Sequence, residues 1–583
     1  MKAFVLGTFL SFIALPGLVS HASDVVVVCP PEWRDAMLPW AELRRDQDLS
    51  LDWVAPAETA ADTRRQVLKV ADSATRYIVL VGDTPVFGRK PAPTQVPTFY
   101  RAARVTAAHG STPAIPTDLP YADLDDDDLV DVALGRLPVQ TATQLQRLVE
   151  RIIRYERSSD FGPWRRCLQL TGGVGGFGEL VDGAIESVTR GVLTSVLPID
   201  AKPQIAYASP GHPFCPGERS FPDAVWDRYT CGSRFWVYAG HGSVDRLDIL
   251  ERAADDAAEL KTTIRAGAPH GGANSGGQAE RWTARSLLDT ESAARLHCQP
   301  SRSPIGVLLA CYAGATDARV DCLAERMVLA EGGPVAVIAA SRLTMPYGNA
   351  KFGLGLLDAV YNRRVRRLGD ATRSAIRPLQ QSERGGQQAE GAGAGAIGWM
   401  IDGLAAMMSP AGSDLEAERR EHAVLYQLLG DPLLSLRPPQ PLSMTVQGPD
   451  TSENASAVDS VDSAPSRRRL SVTVAAPLSG KLRLSVDRPL AELPSSRAPA
   501  SKTARSEGLP GAVVGGADLV AELIDDPDPH GLTLIASQHP IDAGVPLVTK
   551  LTVPPGWSGP VVVRAFVEGS EGWASAAVQA VLP

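Results

Sequence analysis

The sequence predicts an α/β unit built on parallel strands, followed by a separate all-β domain, and three observations carry this. Short β-branched runs alternate with helical patterns from Asp24 to about Pro438, the runs are apolar throughout, and the texture changes after the proline-rich stretch Pro438 to Pro441. Uninterrupted apolar runs suit strands buried on both faces, and the spacing between them leaves room for crossover helices. The 583 residues give length for about three or four units at roughly 150 residues each.

The elements follow in order. Met1 and Lys2 precede an apolar run from Phe4 to Val19, and Ser20-His21-Ala22 offers small residues at a cleavage point. This predicts a signal peptide over residues 1–22, too short to span a bilayer as a helix. No second stretch reaches membrane length, so the mature chain is expected to have no integral span and to be periplasmic, secreted or at the cell surface. An N-terminal α/β subdomain, residues 23–160, has strands at Val25 to Cys29, Tyr77 to Gly82 and Val132 to Arg136. Its helix is Thr141 to Glu156, where Leu145, Leu148, Ile152 and Tyr155 recur on one face.

A second α/β subdomain, residues 161–441, has strands at Cys167 to Thr171, Phe235 to Tyr238, Gly306 to Ala310 and Val335 to Ala340. Two stretches interrupt it, Ala253 to Ala279 and Gln380 to Ala396, whose glycine, alanine and polar content predicts surface insertions. From residue 442 to 583 short runs are punctuated by turn residues, as in a β-sandwich of immunoglobulin type. They are Leu470 to Val474, Leu482 to Val486, Leu519 to Ile524, Leu532 to Ser537, Val548 to Val553, Val561 to Val567 and Ala574 to Val581, with a long loop from Glu492 to Gly516.

Composition removes several functions. Lys+Arg total 57 against Asp+Glu 66, so no basic excess is present to neutralise the phosphates of a nucleic acid. The glycines from Gly172 to Gly178 are followed by no Lys-Ser/Thr pair, which discards a nucleotide phosphate loop. Seven cysteines, an odd number, leave at least one thiol unpaired within the chain. None are spaced as CxxC, which argues against structural zinc.

Two segments carry chemistry: Phe235-Trp-Val-Tyr-Ala-Gly-His-Gly-Ser243 and Gly306-Val-Leu-Leu-Ala-Cys-Tyr-Ala-Gly314. In each, an apolar strand runs into a small-residue turn that presents one reactive side chain, His241 or Cys311. Ligands of open α/β sheets gather at the carboxyl ends of strands. A thiol and an imidazole delivered there make a nucleophile with a general acid/base. Gly240 and Gly242 permit close backbone approach, so an N–H beside His241 or Cys311 can face a developing oxyanion.

At this point the chain resembles the gingipain-type cysteine peptidases, over about Tyr77 to Pro438. The resemblance rests on Tyr77-Ile-Val-Leu-Val-Gly-Asp83, Thr117-Asp-Leu-Pro-Tyr-Ala-Asp123 continuing to Gly135-Arg-Leu-Pro138, and Ile152-Ile-Arg-Tyr-Glu156. It continues through Tyr238-Ala-Gly-His-Gly-Ser243, Ala310-Cys-Tyr-Ala-Gly314, Cys322-Leu-Ala-Glu325, Gly332 to Ser341 and Leu429-Gly-Asp-Pro432. It implies a caspase-like fold with doubly wound, mostly parallel sheets in two subdomains, then an immunoglobulin-like sandwich that meets the cell surface or other proteins. The implied activity is hydrolysis of protein or peptide substrates, without a catalytic cofactor. Cys311 would be the nucleophile, His241 the acid/base, and the N–H groups of Gly242 and Cys311 the oxyanion donors.

Two departures matter. Where relatives of Arg or Lys specificity carry acidic residues, one of them orienting the histidine, this chain has the run Gly172 to Gly178, with Glu179 and Asp182 behind it as substrate-binding candidates. Seventy residues separate His241 from Cys311, and the insertion Ala253 to Ala279 falls between them, placed to act as a lid or an activation site. A transpeptidase of the same fold and a catalytically silent surface protein are the rival readings.

One acidic stretch stands outside this scheme. Asp123, Asp125 and Asp127 alternate within a run that ends at Asp131, a pattern that suits a structural calcium loop. Asp128 occupies the place where a sharp calcium-binding turn needs glycine, so a solvated acidic loop stays open beside calcium.

Overall fold

A computed structural model of the chain describes residues 23–173, 175–176, 179–209, 212–216, 220–252, 282–381, 392–409, 413–448, 469–490, 528–553 and 557–582. The signal segment, the insertion at 253–279, the strand expected at 519–524 and the loop at 492–516 lie outside the described residues.

The main sheet has ten strands. They are β1 (Val25–Val28), β2 (Leu51–Val54), β3 (Tyr77–Val81), β4 (Ala133–Leu137), β5 (Cys167–Gly173), β6 (Lys202–Ala208), β7 (Phe235–Ala239), β8 (Ile305–Leu309), β9 (Ala336–Ala340) and β10 (Tyr426–Leu429). Their order across the sheet is β2-β1-β3-β4-β10-β9-β8-β7-β5-β6. The two halves expected as subdomains therefore share one continuous, mostly parallel sheet, with β10 running antiparallel to β9 and meeting β4 where Leu429 faces Arg136.

The inner strands form because nothing in them needs water. Val25 to Val28, Tyr77 to Val81 and Ala336 to Ala340 are buried at every position, as expected of strands covered on both faces. The helix Ala142–Arg157 follows β4 and packs on the helix Arg34–Arg45, with Leu145, Leu148, Ile152 and Tyr155 buried and the Thr141 hydroxyl accepting the Gln144 N–H at 3.2 Å as its cap. Three strands of this sheet were not anticipated. β2 and β6 are the sheet edges, and β10 is a four-residue strand that follows the helix Leu415–Leu425 without a turn. One further expectation changes: a helix, Ala392–Met408, begins inside the supposed insertion Gln380 to Ala396, with Ile397 and Ile401 buried against Val196 and Leu354.

The C-terminal region is a sandwich of a five-stranded and a three-stranded sheet around Leu470, Val472, Leu482, Leu484, Val561 and Val563. It docks beside β6. The Ile205 N–H donates to His530 Nε2 at 2.9 Å, Arg564 Nε to the Ile199 carbonyl at 2.8 Å, and Trp573 Nε1 to the Arg437 carbonyl at 2.9 Å. No described helix is long and apolar enough to cross a membrane.

Candidate active site

β7 and β8 are neighbours in parallel register, with Ala239 opposite Leu309. His241 and Cys311 each lie two residues beyond that matched pair, so the ladder delivers both to the same edge of the sheet. The two turns also touch. A Cβ on Gly242 would stand 2.9 Å from the Cys311 carbonyl oxygen and 2.9 Å from the Ala310 Cβ, which is why only glycine fits there. Beneath the histidine the buried Tyr238 hydroxyl reaches two carbonyls, of His241 at 2.8 Å and of Asp248 at 2.6 Å, fixing the turn to the hairpin strand Arg246–Arg252.

The cysteine turn is tight. Tyr312, directly after the thiol, has φ 59°, a left-handed conformation that a bulky residue adopts only where its surroundings enforce it. Enforcement comes from its N–H donating to the Arg342 carbonyl at 3.1 Å and from the Gly314 N–H donating to the Ala340 carbonyl at 2.8 Å. The Cys311 sulfur is half-buried and accepts the Thr344 N–H at 3.3 Å.

His241 Nε2 lies 2.8 Å from the carbonyl oxygen of Gly175. A carbonyl only accepts, so Nε2 carries the proton and Nδ1 is the basic nitrogen. The glycine run that replaces the expected acidic residues thus orients the imidazole through its backbone. Sequence reasoning missed this partner, since a carbonyl leaves no mark on side-chain identity. Asp182 is placed elsewhere: it sits in the helix Glu179–Ser195 beside Tyr207 of β6. Burial first, then the charges of Asp182 and Glu186, pushes that phenol up to about 12. The side chain of Glu179 lies outside the described residues.

None of the seven cysteines forms a disulfide. Burial pushes the Cys29 and Cys298 thiols up to about 12 and holds Cys322, the N-terminal cap residue of the helix Leu323–Leu329, well above the ordinary thiol value. Those three are kept protonated as core residues.

The acidic loop is at the amino end of β4. Carboxylate oxygens of Asp123, Asp125 and Asp131 lie within 4.8 Å of one another. Asp127 is not in that cluster; its carboxylate accepts the Leu129 N–H at 2.8 Å. Both oxygens of Asp123 accept backbone N–H groups, of Asp126 at 2.8 Å and of Asp128 at 3.1 Å. Arg64 meets Asp126 at 2.7 Å, and Arg377 stands 3.4 Å from Asp131.

The model of peptidase family C25 matches residues 19–437, well over half of the chain. The chain belongs to peptidase family C25. Members of that family are cysteine peptidases, and the turn-borne thiol and imidazole fall inside the matched span. No curated relative matches this C25 chain. Among solved structures it is similar to the Arg-specific cysteine proteinase gingipain R (RgpB), at 13% identity over 97% of this chain and 98% of that one, with a TM-score of 0.46. The complex of Porphyromonas gingivalis RgpB pro- and mature domains matches at 13% identity over 96% and 100%, TM-score 0.46. Dimeric latent PorU of the same organism matches at 14% over 96% of this chain and 43% of that one, TM-score 0.31.

Proposed function

We propose that this C25 chain is an exported endopeptidase in which Cys311 attacks the scissile carbonyl of a protein substrate. The thiol proton passes to His241 Nδ1 as the sulfur–carbon bond forms, and the tetrahedral adduct then collapses: the amide C–N bond breaks and the imidazolium gives that proton to the departing amine. Water, deprotonated by the same imidazole, then hydrolyses the thioester, which divides one difficult cleavage into two easier steps. The N–H groups of Gly242 and Cys311 are the donors assigned to the tetrahedral oxyanion. Export rests on the charged-then-apolar pattern of the first 22 residues.

The observation that carries the reading is the register of β7 against β8, which brings His241 and Cys311 to one edge with Gly242 seated on the Cys311 carbonyl. The test is incubation of the purified mature chain with a denatured mixed proteome, followed by identification of new termini. Wild type creates them, and Cys311→Ala lowers the rate by about 10⁶-fold, the scale of losing a catalytic nucleophile. Amine-linked products in place of free carboxyl termini would assign a transpeptidase. Cleavage that survives Cys311→Ala removes the reading.

A further inference from the structure

We propose that Thr344 holds the ionised form of Cys311, and that Asn349 and Tyr426 are positioning residues that aim the Thr344 hydroxyl at the sulfur. The inference rests on Cys311 being the nucleophile, as read above.

A chain of hydrogen bonds leads from the core to the thiol. The Tyr426 hydroxyl lies 2.6 Å from Asn349 Oδ1, Asn349 Nδ2 lies 3.0 Å from Thr344 Oγ1, and Thr344 Oγ1 lies 3.7 Å from Cys311 Sγ. Chemistry fixes its direction. An amide oxygen only accepts and an amide nitrogen only donates. Tyr426 therefore donates to Asn349, and Asn349 donates to Thr344. The threonine oxygen accepts the hydrogen bond from Asn349, which leaves its own hydrogen free to turn toward an ionised sulfur. With the Thr344 N–H at 3.3 Å, two donors from one residue converge on Sγ. A protonated thiol has a different use for this loop, the Thr344 carbonyl oxygen at 3.8 Å. Donors that strengthen when the sulfur becomes negative favour the thiolate.

The chain is anchored where it starts. Tyr426 is fully buried and opposes Ala340 in the β9–β10 ladder. Its ring stacks on Phe352 with centroids 3.8 Å apart and planes 5° from parallel. Phe352 and Asn349 share the helix Pro346–Leu357 at a spacing of three, which places them on one face. Burial holds the Tyr426 phenol well above its ordinary value, so it stays a donor at any working pH. Behind the loop the Met345 N–H donates to His422 Nε2 at 2.8 Å.

Among the ionisable groups that face this region, Tyr238 of β7 and Tyr426 of β10 interact with the sulfur, His241 stands beyond β7, and Glu418 and Glu421 flank His422 behind Met345. Arg342, two residues before Thr344, has its charge met by Asp317 at 2.9 and 2.6 Å. The neutral relay thus answers charge on Cys311 in addition to whatever His241 supplies.

The measurement is the pH dependence of Cys311 alkylation by iodoacetamide, in which the thiolate displaces iodide, read by mass spectrometry of the Cys311 peptide from the full chain. Thr344→Val keeps the shape and the backbone N–H while removing the hydroxyl. It should move the midpoint up by about one unit, a tenfold loss of reactivity below the midpoint. Asn349→Ala should do the same, Tyr426→Phe should give a smaller upward shift, and Thr344→Ser should restore the wild-type midpoint. An unmoved midpoint in Thr344→Val with a wild-type melting temperature overturns the inference. If Asn349→Ala unfolds, the Val and Ser variants at 344 decide alone. The two readings fail separately: a wild type that cuts no protein sinks the peptidase assignment, whereas intact cleavage with an unmoved midpoint sinks only the relay.

Discussion

Two kinds of strand end lie along the same edge of the main sheet. Gln140, past β4, joins them: its Nε2 donates to Asp83 beyond β3 at 3.2 Å and to Asp321, beyond the cysteine turn, at 2.8 Å. Near the end of β4 sits Arg136, only 1% exposed. Its guanidinium gives two hydrogen bonds to Asp118 at 2.8 Å and two more at 2.9 Å, to the carbonyls of Gly82 and Val96. Beyond β7 and β8, His241 and Cys311 are only half-buried; a backbone carbonyl meets His241 Nε2, and the N–H and hydroxyl of Thr344 meet the Cys311 sulfur. Position at a strand end does not make a group reactive. One end is closed by a charge pair that uses nearly all its donors, and the other keeps an accessible sulfur and a basic nitrogen.

The largest effect expected from this contrast is at the closed end. Arg136→Met leaves Asp118 buried beside Thr98 with no countercharge, which costs about 3–5 kcal/mol in systems of this kind. Urea unfolding of the full chain should show that loss. Adding Asp118→Leu should recover a large part of it, since the penalty belongs to the orphaned charge. A loss below about 1 kcal/mol in the single variant would show that the two ends are not held differently.

Acid sharpens the contrast from the other side. His422, which supports the loop of Thr344, is fully buried, and burial pushes its imidazole down to about 4. A folded value below the unfolded one, about 6.5, means the unfolded chain binds the extra proton first. The stability held by neutral His422 is therefore complete above pH about 6.5 and is lost as pH falls toward about 4, with a ceiling of about 3 kcal/mol. Denaturant melts from pH 7 to 4.5 should fall accordingly in wild type and more shallowly in His422→Gln. Equal slopes in the two would remove His422 as the cause. His530, at the sandwich contact, is also pushed down to about 4 by burial and contributes with the same sign.

How much of this was legible in the sequence follows from which groups carry identity. Inner strands such as Tyr77 to Val81 announce themselves because both faces are buried, whereas β2 keeps Leu51, Asp52 and Trp53 partly exposed and β6 contains Pro203. An edge strand has one side without a partner strand and tolerates residues that a central strand rejects. His241 and Cys311 were legible because reactive side chains in glycine and alanine turns after apolar runs are uncommon. The Gly175 carbonyl and the Thr344 N–H were not, because every residue carries such groups and only folding decides which of them converge.

The smallest effect is expected at the opposite end of β4, where the acidic loop lies. Its three carboxylates converge through one oxygen each, three of the six to eight that calcium takes. Part of their charge is already answered, by Arg64, by Arg377 and by the N–H groups that Asp123 accepts from Asp126 and Asp128. Those two donors have φ 64° and 63°, left-handed values that aspartate tolerates better than most residues, so the loop closes on its own hydrogen bonds. Stripping the protein with EGTA should then lower its melting temperature by no more than about 2 °C, under about 1 kcal/mol on the scale of a large domain. A fall of about 5 °C or more that is reversed by calcium but not by magnesium would show that an ion closes the amino end of β4 as firmly as Arg136 closes the other. The strand would then be clamped by charge at both ends, and the open edge beyond β7 and β8 would be the exception in the sheet.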